Sequence, residues 1–157
     1  MKTLEIGQSA PLFSLKDQNS DSVTLGDYIG KEVIVLYFYP KAMTPGCTTQ
    51  ACGIRDHADV FKKNKVTVFG LSPDPSARLK KFEAKHGLNF QLLADEGHQV
   101  ADQYGVWGLK KFMGKEYDGI HRKTFIIGLD GSIQHIFHKV KTKSHHEDVM
   151  AWIEKNI

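Results

Sequence analysis

The chain alternates between short runs of nearly continuous apolar residues and longer runs in which apolar residues return every three or four positions. Val33 to Tyr39 is almost unbroken apolar, β-branched and aromatic sequence, which suits a central strand covered on both faces of a sheet. Val66 to Leu71 and Phe90 to Leu93 predict two further strands. From Gly46 to about Lys63 the apolar positions Cys47, Ala51, Ile54, Ala58 and Phe61 fall at alternating steps of four and three. That spacing puts them all on one face of a helix that begins beside the first cysteine. Asp74-Pro75 opens another helix, carrying Leu79 and Phe82 and stopping at Gly87, and a short helix follows around Val100 to Tyr104.

The flanks of this alternating region read differently. Pro11 to Leu15 and Ser22 to Leu25 bracket a polar turn, Asp17 to Asp21, which predicts an N-terminal hairpin. Gly105 to Gly119 is glycine-rich and has no clean period, so it is expected to be a long surface loop with at most a strand fragment. Arg122 to Ile127 and Ser132 to Val140 flank Leu129-Asp130-Gly131 and predict an antiparallel hairpin. Ser144 and Glu147 are spaced as a capping box for a last helix, with Val149, Trp152 and Ile153 toward the core. Strands joined by crossover helices, then an antiparallel hairpin and a closing helix, match an α/β thioredoxin-like sandwich. The expectation is a central mixed sheet flanked by helices, extended by the N-terminal β-hairpin.

At 157 residues the chain is the size of one domain, expected to span residues 1–157, and large enough to bury a core without covalent staples. Its formal charge of +3 is spread along the sequence, with Lys62, Lys63 and Lys65 the densest cluster, so no nucleic-acid footprint is expected. No apolar run is long enough for a signal peptide or a bilayer span, which predicts a soluble cytoplasmic protein with no membrane partner. Thiols are kept reduced in that compartment, so a close cysteine pair more often cycles or binds metal than braces a fold.

Both cysteines of the protein, Cys47 and Cys52, lie where the central strand gives way to the helix. Thr44 is placed to cap that helix with its hydroxyl, Pro45 suits the first helical position, and Cys47 then falls in the first turn. Unpaired N–H groups and the positive end of the helix dipole favour a charged sulfur there, and thiolate is the reactive form. Five residues along a helix separate the Cα atoms by about 8.7 Å and turn the side chains roughly 140° apart. A disulfide tolerates at most about 7 Å, so the two cysteines can bond only after the helix opens locally, a step that Gly53 eases.

Pro40, Thr44 and Cys47 form a Pro-x-x-x-Thr-x-x-Cys pattern, and Arg122-Lys123-Thr124-Phe125 supplies Arg-x-Thr-Phe. In these motifs the chain resembles the peroxiredoxins. Tyr37 to Thr48 with Cys52, together with Gly119 to Arg122 and Lys141-Thr142, is similar to the bacterioferritin-comigratory-protein, or Q-type, branch. The likeness extends over essentially the whole chain. It implies a thiol peroxidase that needs no cofactor and reduces hydrogen peroxide and organic hydroperoxides to water or alcohol. In that reading Cys47 is the peroxidatic nucleophile, Thr44 hydrogen-bonds the peroxide and Pro40 shields the site from water. Arg122 stabilises the thiolate and orients the oxidant. Cys52 is implied as the resolving cysteine, forming an intramolecular disulfide that thioredoxin or a similar dithiol reductant reopens. A partner cysteine within the same chain removes the need for a second subunit, so a monomer is expected.

Two positions depart from the pattern: Gly128 stands where many relatives have Asp, and Gln50 replaces a glutamate common in other branches. The eight histidines do not make a metal site by spacing: His135 and His138 point to opposite faces of a strand, and His145 and His146 diverge on a helix. The aromatic residues around Trp107 suit either a reductant-docking surface or a folded lid, and Lys41 reads as solvated. A thioredoxin-type dithiol-disulfide oxidoreductase is the rival enzyme, although four residues rather than two separate the cysteines. A non-enzymatic peroxide sensor is the other alternative.

Overall fold

Residues 4–157 are described in a computed structural model of the chain. The centre of the fold is β3 (Val33–Phe38), whose six residues are all buried. It pairs in parallel with β4 (Val66–Ser72) and antiparallel with β8 (Thr124–Ile127). With β1 (Ser14–Asp17), β2 (Ser22–Thr24), β5 (Gln91–Ala94) and β9 (Ile133–Phe137) they form a seven-stranded mixed sheet in the order β2-β1-β5-β4-β3-β8-β9. The predicted N-terminal hairpin is present and joins the sheet through β5.

Alternation along β3 divides the core. Ile34, Leu36 and Phe38 face one layer with Phe69, Leu71, Val100, Tyr104 and Phe125, whereas Val33, Val35 and Tyr37 face the other. This second layer is roofed by α1 (Pro45–Asp56), α3 (Ser76–His86) and α5 (His145–Asn156), through Ala51, Ile54, Leu79, Phe82, Val149 and Ile153. Trp152 is half-buried and stacks on His135 at 4.8 Å. The short α4 (Gln99–Gln103) belongs to the first layer. This is the central mixed sheet flanked by helices that the sequence pattern predicts.

The structure corrects three expectations. The helix expected over 46–63 is broken at His57 into α1 and α2 (Ala58–Lys63). The His57 Nδ1 lies 3.3 Å from the Gly53 carbonyl and competes for an acceptor that a continuing helix would use. The segment expected to be a loop is a regular hairpin, β6 (Trp107–Phe112) and β7 (Lys115–Ile120), paired from Trp107↔Ile120 to Phe112↔Lys115. Its two-residue turn, Met113-Gly114, has positive φ at both positions, 51° and 79°, as a type I′ turn requires. Trp107 anchors its base by stacking on His98 at 3.8 Å. Finally, Ser144 precedes α5 without a side-chain cap, and its hydroxyl donates to Asp148 Oδ2 at 2.9 Å.

Helices α1 and α5 meet closely at Gly53. A Cβ there would sit 2.3 Å from Nδ1 of His146, whose ring also lies 4.3 Å from that of His57. Elsewhere in a helix, glycine-to-alanine stabilises by about 1 kcal/mol. Here the overlap outweighs that gain, and Gly53→Ala is expected to lower the thermal midpoint by several degrees, for a cost of about 1–3 kcal/mol. An unchanged or raised midpoint in calorimetry contradicts this packing.

Candidate active site

The C-terminal end of β3 leads through Tyr39 and Pro40 into a tight turn before α1, and the turn holds Met43 at φ 70°. Left-handed backbone at a side-chain-bearing residue is costly unless its surroundings fix it. Asp74 and Arg78 do so by gripping both backbone groups of Ala42. Asp74 Oδ2 accepts from the Ala42 N–H at 2.8 Å and from Ser72 Oγ at 2.8 Å. Arg78 Nη2 donates to the Ala42 carbonyl at 3.0 Å, and its Nε lies 3.2 Å from Asp74 Oδ1. In the sequence Asp74 reads only as part of a helix opening, and Arg78 carries no motif.

Thr44 occupies the N-cap position with extended backbone, but its side chain does not cap the helix. Its hydroxyl instead donates to the Lys41 carbonyl at 2.8 Å. Two things follow. The oxygen of Thr44 keeps its lone pairs free to accept a hydrogen bond, and the amides at the helix start keep no side-chain partner. The first intrahelical bond runs from Thr48 N–H to Thr44 C=O at 2.9 Å, so the N–H groups of Gly46 and Cys47 precede it.

Cys47 is only 1% exposed and its sulfur is unbonded, as is that of half-buried Cys52. Both stand on α1, so the helical separation expected between them holds. Arg122 approaches from the segment just before β8, with Nη2 at 3.4 Å from Cys47 Sγ and Nη1 donating to Gln50 Oε1 at 2.7 Å. A Cβ on Gly46 would lie 3.5 Å from Arg122 Nη2 and 3.7 Å from the Thr142 methyl, so the guanidinium and the Lys141-Thr142 segment close over the helix start. Hairpin β6–β7 brings up Lys110, whose ammonium is held below its ordinary range by burial and then by Arg122, with Cys47 opposing. Its Nζ donates to the Ile120 carbonyl at 2.8 Å.

Behind Arg122 runs a buried chain of polar groups that fixes its own proton positions. A guanidinium can only donate, so Gln50 must turn Oε1 to Arg122 and Nε2 to His145 Nδ1, 3.2 Å away. That nitrogen must therefore accept, which places the imidazole proton on Nε2, donating to Thr124 Oγ1 at 2.8 Å. Burial, then His146 and Arg122, push the imidazole down to about 3, so it is neutral here. Among the described residues no group of three or more His, Cys, Asp or Glu could hold a metal ion.

The structure thus brings Arg122 onto Cys47 at the start of α1, with Thr44 at the N-cap and Pro40 in the segment that leads from β3 to the helix, and sets Cys52 further along the same helix. The AhpC/TSA family model matches residues 6–136. The chain is 54% identical over 156 residues to Peroxiredoxin Bcp of Escherichia coli K12, covering 99% of both. It is 50% identical over 143 residues to Peroxiredoxin Bcp of Bacillus subtilis, covering 91% of this chain and 90% of that one. The crystal structure of a cysteine-to-serine mutant of Xylella fastidiosa PrxQ superposes with a TM-score of 0.92 at 30% identity, over 99% of this chain and 98% of that one. The chain belongs to the peroxiredoxin family.

Membership makes this peroxiredoxin an oxidoreductase, a thiol peroxidase whose substrate classes are peroxides and a reducing thiol. The substitution of Gln at position 50 acquires a physical reading in this setting. A neutral amide can join a donor-only guanidinium to a neutral histidine without burying a second charge.

The neutral His145 makes the peroxiredoxin sensitive to acid. The unfolded chain takes up a proton near pH 6.5 that the folded protein refuses down to about 3, so stability falls as the pH drops through that window. This residue alone accounts for about 1.4 kcal/mol per pH unit. Urea unfolding at about pH 6.5 and about pH 5 is expected to show a loss in the native protein that is smaller in His145→Phe by about 2 kcal/mol. Equal losses in the two proteins contradict the assignment.

Proposed function

We propose that this peroxiredoxin reduces hydrogen peroxide and organic hydroperoxides at Cys47 and is recycled through an intramolecular Cys47–Cys52 disulfide. The observation that carries the reading is the guanidinium of Arg122 lying 3.4 Å from Cys47 Sγ beside the free amides of Gly46 and Cys47. A thiolate attacking a peroxide forms an S–O bond as the O–O bond breaks, and negative charge grows on the leaving oxygen. Donors already aimed at the site stabilise that charge without reorganising. Arg122 and the two amides are such donors, and the Thr44 oxygen accepts from the peroxide hydroxyl and sets its direction. Pro40, which has no N–H, limits water at the rim. The leaving oxygen takes a proton and departs as water or alcohol, leaving Cys47 as sulfenic acid.

Cys52 then attacks the sulfenic sulfur, forming the S–S bond and releasing water. Helix α1 must unwind first, because its geometry holds the pair too far apart. A dithiol reductant, thioredoxin in this proposal, reopens the bond by thiol-disulfide exchange. The protein acts as a cytoplasmic monomer. No helix among the described residues is long and apolar enough to cross a membrane.

Cys47→Ser is expected to abolish peroxide consumption in a thioredoxin-coupled assay. Cys52→Ser is expected to reduce one equivalent of peroxide, accumulate sulfenic acid detectable by mass spectrometry, and then stall. Continued turnover by Cys47→Ser, or undiminished thioredoxin-supported turnover by Cys52→Ser, contradicts the scheme.

A further inference from the structure

We propose that His145 is a positioning residue for peroxide reduction, acting through Gln50 to hold the Arg122 guanidinium on Cys47. The inference rests on the reading that Arg122 assists chemistry at Cys47. His145 touches neither sulfur nor substrate; it sits at the start of α5 and reaches the site only through the Gln50 amide.

An amide has two nearly isosteric ends, and only one of them can serve Arg122. With Oε1 toward the guanidinium the contact is a 2.7 Å hydrogen bond, whereas with the amide reversed two donors would face each other. Arg122 favours the productive orientation from one side, and what meets the amide on the other side decides how firmly it is held. Gln50 is fully buried, so water cannot take that place, and the group on its far side is His145 Nδ1 at 3.2 Å. An acceptor there makes the reversed amide doubly wrong, since Oε1 would then face the bare nitrogen while Nε2 faced Arg122.

The far nitrogen of the ring is paired as well. With Nδ1 accepting from Gln50, Nε2 of His145 carries the proton and donates to Thr124 Oγ1 at 2.8 Å, and Thr124 begins β8 just two residues after Arg122. The chain Arg122–Gln50–His145–Thr124 therefore closes through the backbone into a ring, linking the sheet, α1 and α5. His145 is 2% exposed and Thr124 fully buried, so each link is made by a side chain without solvent to replace it. Burial keeps the imidazole neutral, which preserves the acceptor.

The test compares His145→Phe, which fills the space without an acceptor, with His145→Asn, whose carbonyl oxygen can take the place of Nδ1. Single-turnover stopped-flow oxidation by hydrogen peroxide reads the chemical step, and the subsequent sulfenic-acid-to-disulfide step is timed in the same trace. The expected result is oxidation slowed about tenfold in His145→Phe, the factor one net hydrogen bond is worth, with most of the rate regained in His145→Asn. Native-rate oxidation in His145→Phe overturns the proposal, as does an Asn variant no faster than Phe. Independently of any variant, the imidazole ¹⁵N resonances of the unmodified protein are expected to report a neutral ring protonated on Nε2. A proton on Nδ1 overturns the proposal. Full peroxidase turnover in Cys47→Ser overturns the underlying peroxidase reading instead, and the two failures are thereby told apart.

Discussion

The contact on which the rest depends is between a sulfur and a guanidinium 75 positions apart in sequence, Cys47 and Arg122, at 3.4 Å. Neither is placed by its own neighbours alone. Cys47 is set by the end of a fully buried strand and a strained turn that Asp74, in the loop after β4, and Arg78, on α3, hold in place. Arg122 is set by the strand it precedes and by Gln50, one helical turn beyond the cysteine. Because β3 and β8 are adjacent and antiparallel, the exit of one and the entrance of the other share an end of the sheet. The sheet topology therefore brings the two groups together before any side-chain preference operates.

The same helix carries an opposing demand. In the proposed cycle it must stay folded to activate Cys47, with its first amides aimed at the reacting oxygens, and must come apart to let Cys52 reach Cys47. Gln50 and Gly53, which bracket Cys52, are the residues that α5 grips through His145 and His146. Unwinding α1 across Cys52 thus dissolves the contacts that orient Arg122. In the proposed cycle, the geometry that favours oxidation of the thiolate and the geometry that favours disulfide formation exclude each other. Peroxide reduction and resolution become successive states of one helix.

Much of this was legible in the sequence because burial leaves a period. The continuous run of β3, the four-and-three spacing that begins at Cys47, and the Arg-x-Thr-Phe segment each point to an element and a site residue. Hairpin β6–β7 was not, since Leu109, Phe112, Met113 and Tyr117 are exposed and neither face imposes an alternation; only Trp107 and Ile120 at its base are anchored. Thr44 looked like a helix cap because its type and position suit one, yet the strained turn offered its hydroxyl the Lys41 carbonyl instead. By spacing alone His145 reads only as a candidate metal ligand. Its place beside Gln50 arises from tertiary packing across 95 residues, for which no local pattern exists. Gly53 read as a weak point in a helix; the approach of His146 gives it a steric reason as well.

On the present proposal, oxidation of Cys47 proceeds under a guanidinium whose planar fork serves sulfur and Gln50 together. Its most direct test is the second-order rate constant for hydrogen peroxide oxidation of Cys47 in Arg122→Lys, followed by stopped-flow fluorescence from Trp107 and Trp152. A lysine keeps the charge but cannot make both contacts in one plane, so the rate is expected to fall by about a hundredfold. A rate within a factor of about two of the native protein, in a variant of undiminished stability, contradicts it.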